Sequence, residues 1–359
     1  MRVRRKGKMT VHAPRAGSTL ATLGRLLLIT SLLTAFGIVG VVAASATPTP
    51  PKWTASHYVN LSSRDDFWNL GHDLGVKVYN HDKPQNAVVI LDFGGQDQNS
   101  NGTWGALAVQ TPHTFRSNGT IENFSEGFGQ GYWEGTGSDT TSTLRLLIGT
   151  NNSGPNDGGT AGQKWGATVD VVGNWLANNP SGPLKYASQV SIGGADDMEF
   201  AYGTGQHAHD WASAFSNNSS HVYFDYGGCA GCIQEDPSPW TMEQVYYVAW
   251  GASAAFPFPE IYNQSGVKAR QWQQLAIYGH REHGALMVFE ATLTEQEACN
   301  QETHTPYACY AGTDQDPDAG WSQMWNCLNT KCDYDDHAAP DYLNQGIQWS
   351  SDIKYNPSP

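Results

Sequence analysis

Apolar, strand-like runs that finish in acidic residues recur along this chain. The clearest five are Val88 to Asp92, Val190 to Glu199, Val222 to Asp225, Phe256 to Glu260 and Leu286 to Glu290. Segments with apolar residues at helical spacing alternate with these runs, as at Gly162 to Asn178 and Ser265 to Tyr278. Strands that each deliver a carboxylate at the carboxyl end, separated by helices, predict a (β/α)8 TIM-like barrel with an acid-lined mouth.

The strand count predicts that this barrel is irregular or incomplete. Leu144 to Ile148 adds a sixth strand, and the last clear one is expected at Ala285 to Ala291. The two missing strands are expected between residues 55 and 85, where Lys77 to Tyr79 is a candidate, and either between 94 and 143 or after 340. An open doubly wound α/β sheet is the alternative fold.

The first 46 residues have the pattern of an export signal. They contain seven basic residues and no acidic one, followed by an uncharged stretch from Leu26 to Ala44 and a small-residue cleavage site at Ala44 to Ala46. An uncleaved membrane anchor is the alternative. Residues 47–56 are expected to be a linker and 57–359 a single domain that is secreted or held at the outer face of the plasma membrane.

The charge and the composition of the chain limit the kinds of binding partner to expect. The chain has a formal charge of −14 from 20 basic and 34 acidic residues, and without the basic leader the charge approaches −21. Such a surface repels nucleic acid and anionic membranes, so contact with a membrane is expected only through the N-terminal segment. The 13 Trp and 16 Tyr residues suit stacking on sugar rings, although they equally suit a large core. A neutral glycan or other neutral polymer is the expected partner.

Six cysteines lie in the second half of the chain, and an even count in an oxidising compartment predicts three disulfides. Proximity in the sequence favours the pairs Cys229 with Cys232, Cys299 with Cys309, and Cys327 with Cys332, among fifteen pairings. A redox role for the CxxC motif at Cys229 is the less favoured alternative, because an acidic, proline-rich loop follows it instead of a helix.

The densest acidic motif is Asp196-Asp197-Met198-Glu199, directly after the strand-like Ser191 to Gly194. Asp197 and Glu199 are two residues apart, so in an extended chain their side chains share one face. Two neighbouring carboxylates repel, which raises the pKa of one of them. One protonated acid beside one ionised acid is the arrangement that glycoside cleavage requires.

Asp197-Met198-Glu199 resembles the DxE motif at strand ends of glycoside-hydrolase barrels, including family 18 chitinases and family 25 muramidases, and Ser191 to Gly194 resembles a chitinase strand. The chitinase pattern has four acids, of which only Asp197 and Glu199 find a match here. The resemblance implies a proton-donor role for Glu199 and a supporting role for Asp197. The segments from Trp240 to Tyr247 and Pro259 to Tyr262 are also similar to uncharacterised exported bacterial proteins, which imply no activity.

The other strand ends supply candidates for the second carboxylate. Glu260 is the first choice for a nucleophile or base, because it lies in an otherwise apolar run, and Asp92 and Asp225 come next. The predicted catalytic set is Glu199, Asp197, Glu260, Asp92 and Asp225. The predicted substrate-binding set is Asp196, Tyr202, Tyr226, Tyr262 and Glu290.

The alternatives are a metal-dependent hydrolase and a non-catalytic protein that binds carbohydrate or has a structural role. His207, His209 and Asp210, with the second pair His280 and His283, are the residues on which a metal site would depend, but their spacing does not fit a known pattern and none is predicted. No P-loop, GxGxxG, nucleophile-elbow or haem motif is present, so no cofactor is expected. The favoured function is an exported, glycoside hydrolase-like protein that cleaves a neutral glycan or cell-wall polysaccharide by carboxylate acid/base catalysis.

Overall fold

Eight parallel strands follow one another around a barrel in chain order. The computed structural model describes residues 48–81, 85–151, 157–181, 183–237, 239–302 and 312–357, so the predicted leader lies outside the described residues. The barrel strands are β1 (Thr54–Val59), β2 (Ala87–Gln98), β5 (Leu144–Asn151), β6 (Val190–Asp196), β7 (Tyr223–Asp225), β8 (Ala255–Pro257), β9 (Ala291–Thr294) and β10 (Trp349–Asn356). Two short strands, β3 (Trp104–Leu107) and β4 (Phe115–Ser117), extend β2 as an antiparallel flap.

The barrel closes between β8 and β9. The sheet runs in the order β8-β7-β6-β5-β2-β1-β10-β9, and a parallel bridge between Glu260 and Leu293 joins its two ends. Two backbone hydrogen bonds make this seam, from Ile261 N to the Leu293 carbonyl (2.8 Å) and from Leu293 N to the Pro259 carbonyl (2.9 Å). The fold is therefore an irregular TIM-like barrel and not an open doubly wound sheet.

In the described part of the chain eight helices accompany the strands. They are α1 (Arg64–His81), α2 (Asn118–Gly135), α3 (Gly158–Asn178), α4 (Gly205–Asn218), α5 (Met242–Tyr246), α6 (Val267–His283), α7 (Gln296–Glu302) and α8 (Pro317–Asn329). Several begin at side-chain caps that the sequence supplies, such as Ser117, Asp157 and Thr241, each accepting a hydrogen bond from a backbone N–H of the first turn. None of the described helices is both long and apolar enough to cross a membrane.

Side chains along each strand alternate between the barrel interior and the helix layer. On β2, Val88 and Ile90 belong to the interior cluster, whereas Val89 and Leu91 pack with the helices. On β7, Phe224 points inward and Tyr223 outward. This alternation decides which strand-end acids enter the mouth.

Three sequence-based element predictions differ from the structure. The strand expected at residues 285–291 lies later, at β9, because Leu286 and Val288 in the more apolar run are 53% and 42% exposed. Lys77 to Tyr79 belongs to helix α1. The two missing strands are β1, which lies at the start of the 55–85 region where one was expected but also overlaps the expected linker, and β10, which lies in the region after residue 340 where one was expected.

Two of the predicted disulfides are confirmed, Cys229 with Cys232 and Cys327 with Cys332. Cys299 is also disulfide-bonded. Its predicted partner Cys309 lies outside the described residues.

Candidate functional site

The carboxyl ends of the strands bring a group of acidic side chains into the barrel mouth. Asp92 follows the inward-pointing Val88 and Ile90 on β2, and Glu260 follows the inward-pointing Phe258. Asp197 continues the inward phase of Ala195 at the end of β6. All three are buried, with exposed fractions of 0%, 5% and 6%. The structure therefore brings together three of the five predicted catalytic residues, and Glu199 joins them.

Glu199 and Glu260 meet around Gly228. A Cβ atom placed on Gly228 would lie 2.9 Å from Glu199 Oε2, 3.0 Å from Lys268 Nζ and 3.2 Å from Glu260 Oε2. Because both distances are measured from the same Cβ position, Glu199 Oε2 and Glu260 Oε2 are at most about 6 Å apart, which is below the separation typical of an inverting glycosidase pair. Lys268, in the first turn of α6, lies 3.6 Å from Glu260 Oε2. Because glycine has no Cβ, position 228 adds no side chain to the space beside these three ionisable groups.

Burial raises the pKa of Glu260 to about 8, and the nearby Glu199 raises it as well, whereas the Lys268 ammonium opposes the shift. A carboxyl group with this pKa retains its proton at neutral pH. Such a group can donate a proton to a leaving oxygen.

Asp197 is the least satisfied carboxyl group of the mouth. Its Oδ1 atom is buried and has no hydrogen-bond partner among the described residues. Burial, together with repulsion from Glu260, Glu199 and Asp92, raises its pKa well above the usual range. The Oδ1 atom of Asp197 therefore lacks a donor.

Asp92 is fully hydrogen-bonded in contrast. Its Oδ1 accepts from the Gly94 N–H (2.7 Å), and its Oδ2 accepts from Asn151 Nδ2 (3.0 Å). Burial raises the pKa of Asp92, although these two hydrogen bonds favour its ionised form. Its position is fixed by the irregular stretch of β2 between Asp92 and Gly95 and by the end of β5.

Three tyrosines surround these acids. Tyr226 and Tyr262, both predicted to bind substrate, pack in the barrel interior together with Tyr58. The Tyr226 hydroxyl donates to the Thr150 carbonyl (2.7 Å), and the Tyr58 hydroxyl donates to Glu295 Oε1 (3.1 Å). Burial and the neighbouring carboxylates raise the pKa of all three phenols well above 10. Neutral tyrosine rings thus line the walls around the carboxyl groups.

Asp196 and Asp225 lie on the helix side of the sheet, so the structure does not group them with the other predicted site residues. Alternation places both on the helix side, because their neighbours Ala195 and Phe224 point inward. Asp225 Oδ1 accepts from the backbone N–H groups of Met198 (3.3 Å) and Gly227 (3.2 Å), so it organises the loops that carry Glu199 and Gly228. Burial raises the pKa of Asp225 to about 7. Tyr202 is buried outside the barrel interior as well.

Glu290 lies at the opposite end of the barrel, which removes the reason to expect substrate binding there. It precedes β9 and approaches Arg145 Nη1 at 3.7 Å. The Arg145 guanidinium lies over the rings of Phe224 and Trp349, at 5.6 and 5.1 Å from their centroids. This pair fills the amino-terminal end of the barrel.

The histidines considered for a metal site lie on helices outside the barrel. His209 on α4 stacks on Tyr247 with ring centroids 4.0 Å apart. His283 on α6 approaches Glu243 Oε2 at 2.8 Å. Among the described residues, no group of three or more His, Cys, Asp or Glu side chains is arranged to hold a metal ion.

The sequence did not predict three residues of the mouth, which are Tyr58, Lys268 and Glu295. Glu295 directly follows β9, and burial raises its pKa to about 7. Like the other acids of the mouth, Glu295 follows the carboxyl end of a strand, but that strand was predicted at the wrong position, so Glu295 was not recognised as a candidate. Tyr58 lies on the unrecognised β1. Lys268 carried a weaker signal, since it lies in the first turn of a helix that was expected.

The sequence matches no protein-family model, and neither the curated proteins nor the solved structures contain a match to it.

Proposed function

We propose that this protein is a glycoside hydrolase in which Glu199 and Glu260 form the working carboxylate pair. The observation that carries the proposal is the convergence of these two groups around Gly228, no more than about 6 Å apart, at the end of the barrel where such folds perform chemistry. The expected substrate is a glycan without negative charge, since the chain itself is strongly acidic. The short separation supports retention of configuration.

The electrostatics support Glu260 as the proton donor. Glu260 is buried with a pKa of about 8, whereas Glu199 is only half-buried and lies beside the same lysine. Glu260 would protonate the leaving oxygen, while ionised Glu199 attacks the anomeric carbon, and Glu260 would then take a proton from the incoming water. This reverses the roles implied by the resemblance to the DxE motif.

Export from the cytoplasm belongs to the same proposal. Disulfides persist in oxidising compartments, and the described residues contain Cys229 with Cys232 and Cys327 with Cys332. The leader pattern in residues 1–46 agrees with this location. A polysaccharide of the cell wall or of the surrounding matrix is then within reach.

The first test is a screen of uncharged and basic polysaccharides for release of new reducing ends. Glu199→Gln and Glu260→Gln are each expected to lower kcat by about 100-fold or more, with circular dichroism spectra like that of the wild type. Glu235→Gln is the matched control, because the Glu235 side chain is 84% exposed and lies outside the barrel interior. Undiminished hydrolysis by both mouth variants would refute the proposal.

Activated aryl glycosides then separate the two roles. A substrate with a good leaving group needs no protonation, so Glu260→Gln is expected to retain much of its activity on it, whereas Glu199→Gln loses activity on every substrate. The opposite result would restore Glu199 as the donor. Glycan binding that survives both substitutions, without hydrolysis by the wild type, would favour a non-catalytic binding protein instead.

A further inference from the structure

We propose that the barrel mouth recognises a primary ammonium group, so that its substrate is a glycan of amino sugars without N-acetyl groups. This inference rests on the proposed function, because it assigns a substrate class to the same site. It changes the expected neutral glycan to a basic one.

The mouth holds more carboxyl groups than a two-acid mechanism uses. Asp92, Asp197, Glu199, Glu260 and Glu295 converge there, and each acts electrostatically on at least one of the others or on the same tyrosine. Lys268 adds one positive charge beside them. These carboxyl groups oppose one another's ionisation, and a ligand that brings a positive charge favours their ionised forms.

Asp197 provides the second observation, because it lacks a donor. Its Oδ1 is buried and unpartnered among the described residues, and the groups that act on it are the acceptors Glu260, Glu199 and Asp92. A buried polar atom without a partner is costly. A hydroxyl group offers one hydrogen, whereas an ammonium group offers three and can serve Asp197 and a neighbouring carboxylate together.

The mouth already accommodates one ammonium group in this manner. The Nζ atom of Lys268 lies 3.6 Å from Glu260 Oε2, within about 6 Å of Glu199 Oε2, and 5.9 Å from the centroid of the Tyr262 ring. Tyr58 and Tyr226 lie in the same interior cluster, and Asp197 acts electrostatically on both phenols. Carboxylates combined with tyrosine faces are a favourable environment for an organic cation.

Two further observations favour an ammonium group over a metal ion or a neutral sugar. In the part of the chain that the structure describes, no set of three or more ligand side chains has the arrangement of a metal site. The formal charge of −14 attracts a polycation to the protein surface and raises its rate of encounter.

Isothermal titration calorimetry on the full exported chain tests the inference. The probes are oligosaccharides of glucosamine and of galactosamine, each in fully de-N-acetylated and fully N-acetylated form. To prevent turnover, the Glu199→Gln variant is titrated beside the wild type. At least one de-N-acetylated oligosaccharide is expected to bind at least tenfold more tightly than its N-acetylated counterpart.

Asp197→Asn is expected to bring that ratio to within about twofold, since the amide no longer carries a charge for the ammonium group. Asp210→Asn is the matched control, because Asp210 is an exposed acid on α4 outside the mouth and its loss should leave the ratio unchanged. If Asp197→Asn does not fold, the ratio of wild-type affinities for the de-N-acetylated and N-acetylated oligosaccharides still tests the inference.

Equal or tighter binding of the N-acetylated oligosaccharides would overturn the inference, as would the absence of binding by every de-N-acetylated probe. Hydrolysis of an uncharged glycan that depends on Glu199 and Glu260 would in that case leave the proposed function intact. If the de-N-acetylated probes do not bind more tightly and no glycan is hydrolysed, both proposals are refuted.

Discussion

Replacement of Glu260 by glutamine is expected to stabilise the protein at alkaline pH. Glu260 is 5% exposed, and burial raises its pKa from 4.5 to about 8 in spite of Lys268. The folded state therefore binds the proton more tightly than the unfolded state does. The contribution of this group to stability is complete below pH 4.5 and is lost as the pH rises towards 8.

The magnitude follows from the pKa difference. At about 1.4 kcal/mol per pKa unit, the shift corresponds to at most roughly 5 kcal/mol of stability lost by the wild type above pH 8. Protons redistribute among neighbouring carboxyls, which lowers the cost, so a gain of about 2 kcal/mol for Glu260→Gln at pH 9 is the expected minimum. Glutamine has nearly the same shape and cannot ionise.

Urea unfolding at pH 5 and pH 9, followed by tryptophan fluorescence, measures the effect. The two proteins are expected to unfold at similar urea concentrations at pH 5, and the variant at the higher concentration at pH 9. Glu235→Gln, on the exposed surface, should follow the wild type at both values. A stability difference that does not change with pH, or a variant less stable than the wild type at pH 9, would refute the reasoning.

Three further predictions concern the mouth and the opposite end of the barrel. Lys268→Met should raise the pKa of Glu260 by about 1 unit or more, since a charge at 3.6 Å contributes roughly 1 to 5 kcal/mol. Carbon-13 NMR titration of the Glu260 carboxyl group measures this pKa. The control variant Lys268→Arg keeps the positive charge and should leave the pKa near its original value. Gly228→Ala should lower glycan turnover by about tenfold or more, because its Cβ would lie 2.9 Å from a carboxylate oxygen, whereas Gly346→Ala, with nothing within 4 Å, should be active in the same assay. Glu290→Gln should leave turnover unchanged and should not lower the free energy of unfolding in urea titration at pH 8, because burial raises the pKa of Glu290 in spite of the Arg145 guanidinium at 3.7 Å, so the folded chain disfavours the ionised carboxylate; a loss of turnover would place Glu290 in the site after all.

The barrel was predictable because strand-like runs and helical periods alternate along the chain. The strands that escaped detection are the polar ones. β10 contains Ser350, Ser351 and Asp352, all of which are buried and satisfied by tertiary contacts that a local pattern does not reveal. β1 begins directly after the proline-rich segment that ends at Pro51, where the composition indicates a linker.

The candidate site was predictable only as far as the strand register was correct. The period of two placed Asp197 and Glu199 on a common face, and both reach the mouth. The same period puts Asp196 on the other face, but the sequence alone does not say which face is inside. At β9 the strand was predicted too early along the chain. Glu290 was therefore chosen as the strand-end acid instead of Glu295, which is five residues later, and Glu290 lies at the opposite end of the barrel.

The seam of the barrel connects local opening of the sheet with the position of Glu260. Pro257 and Pro259 have no backbone N–H, so the chain around β8 cannot form a continuous ladder with β9, and two hydrogen bonds close the gap. Glu260 lies between the residues that make those bonds. Because Glu260 lies between these bonded residues, we expect a local opening that exposes the amides of Ile261 and Leu293 to hydrogen exchange to move this carboxyl group away from Lys268 as well. Exchange at these two amides is therefore expected to report how often Glu260 leaves its position in the mouth.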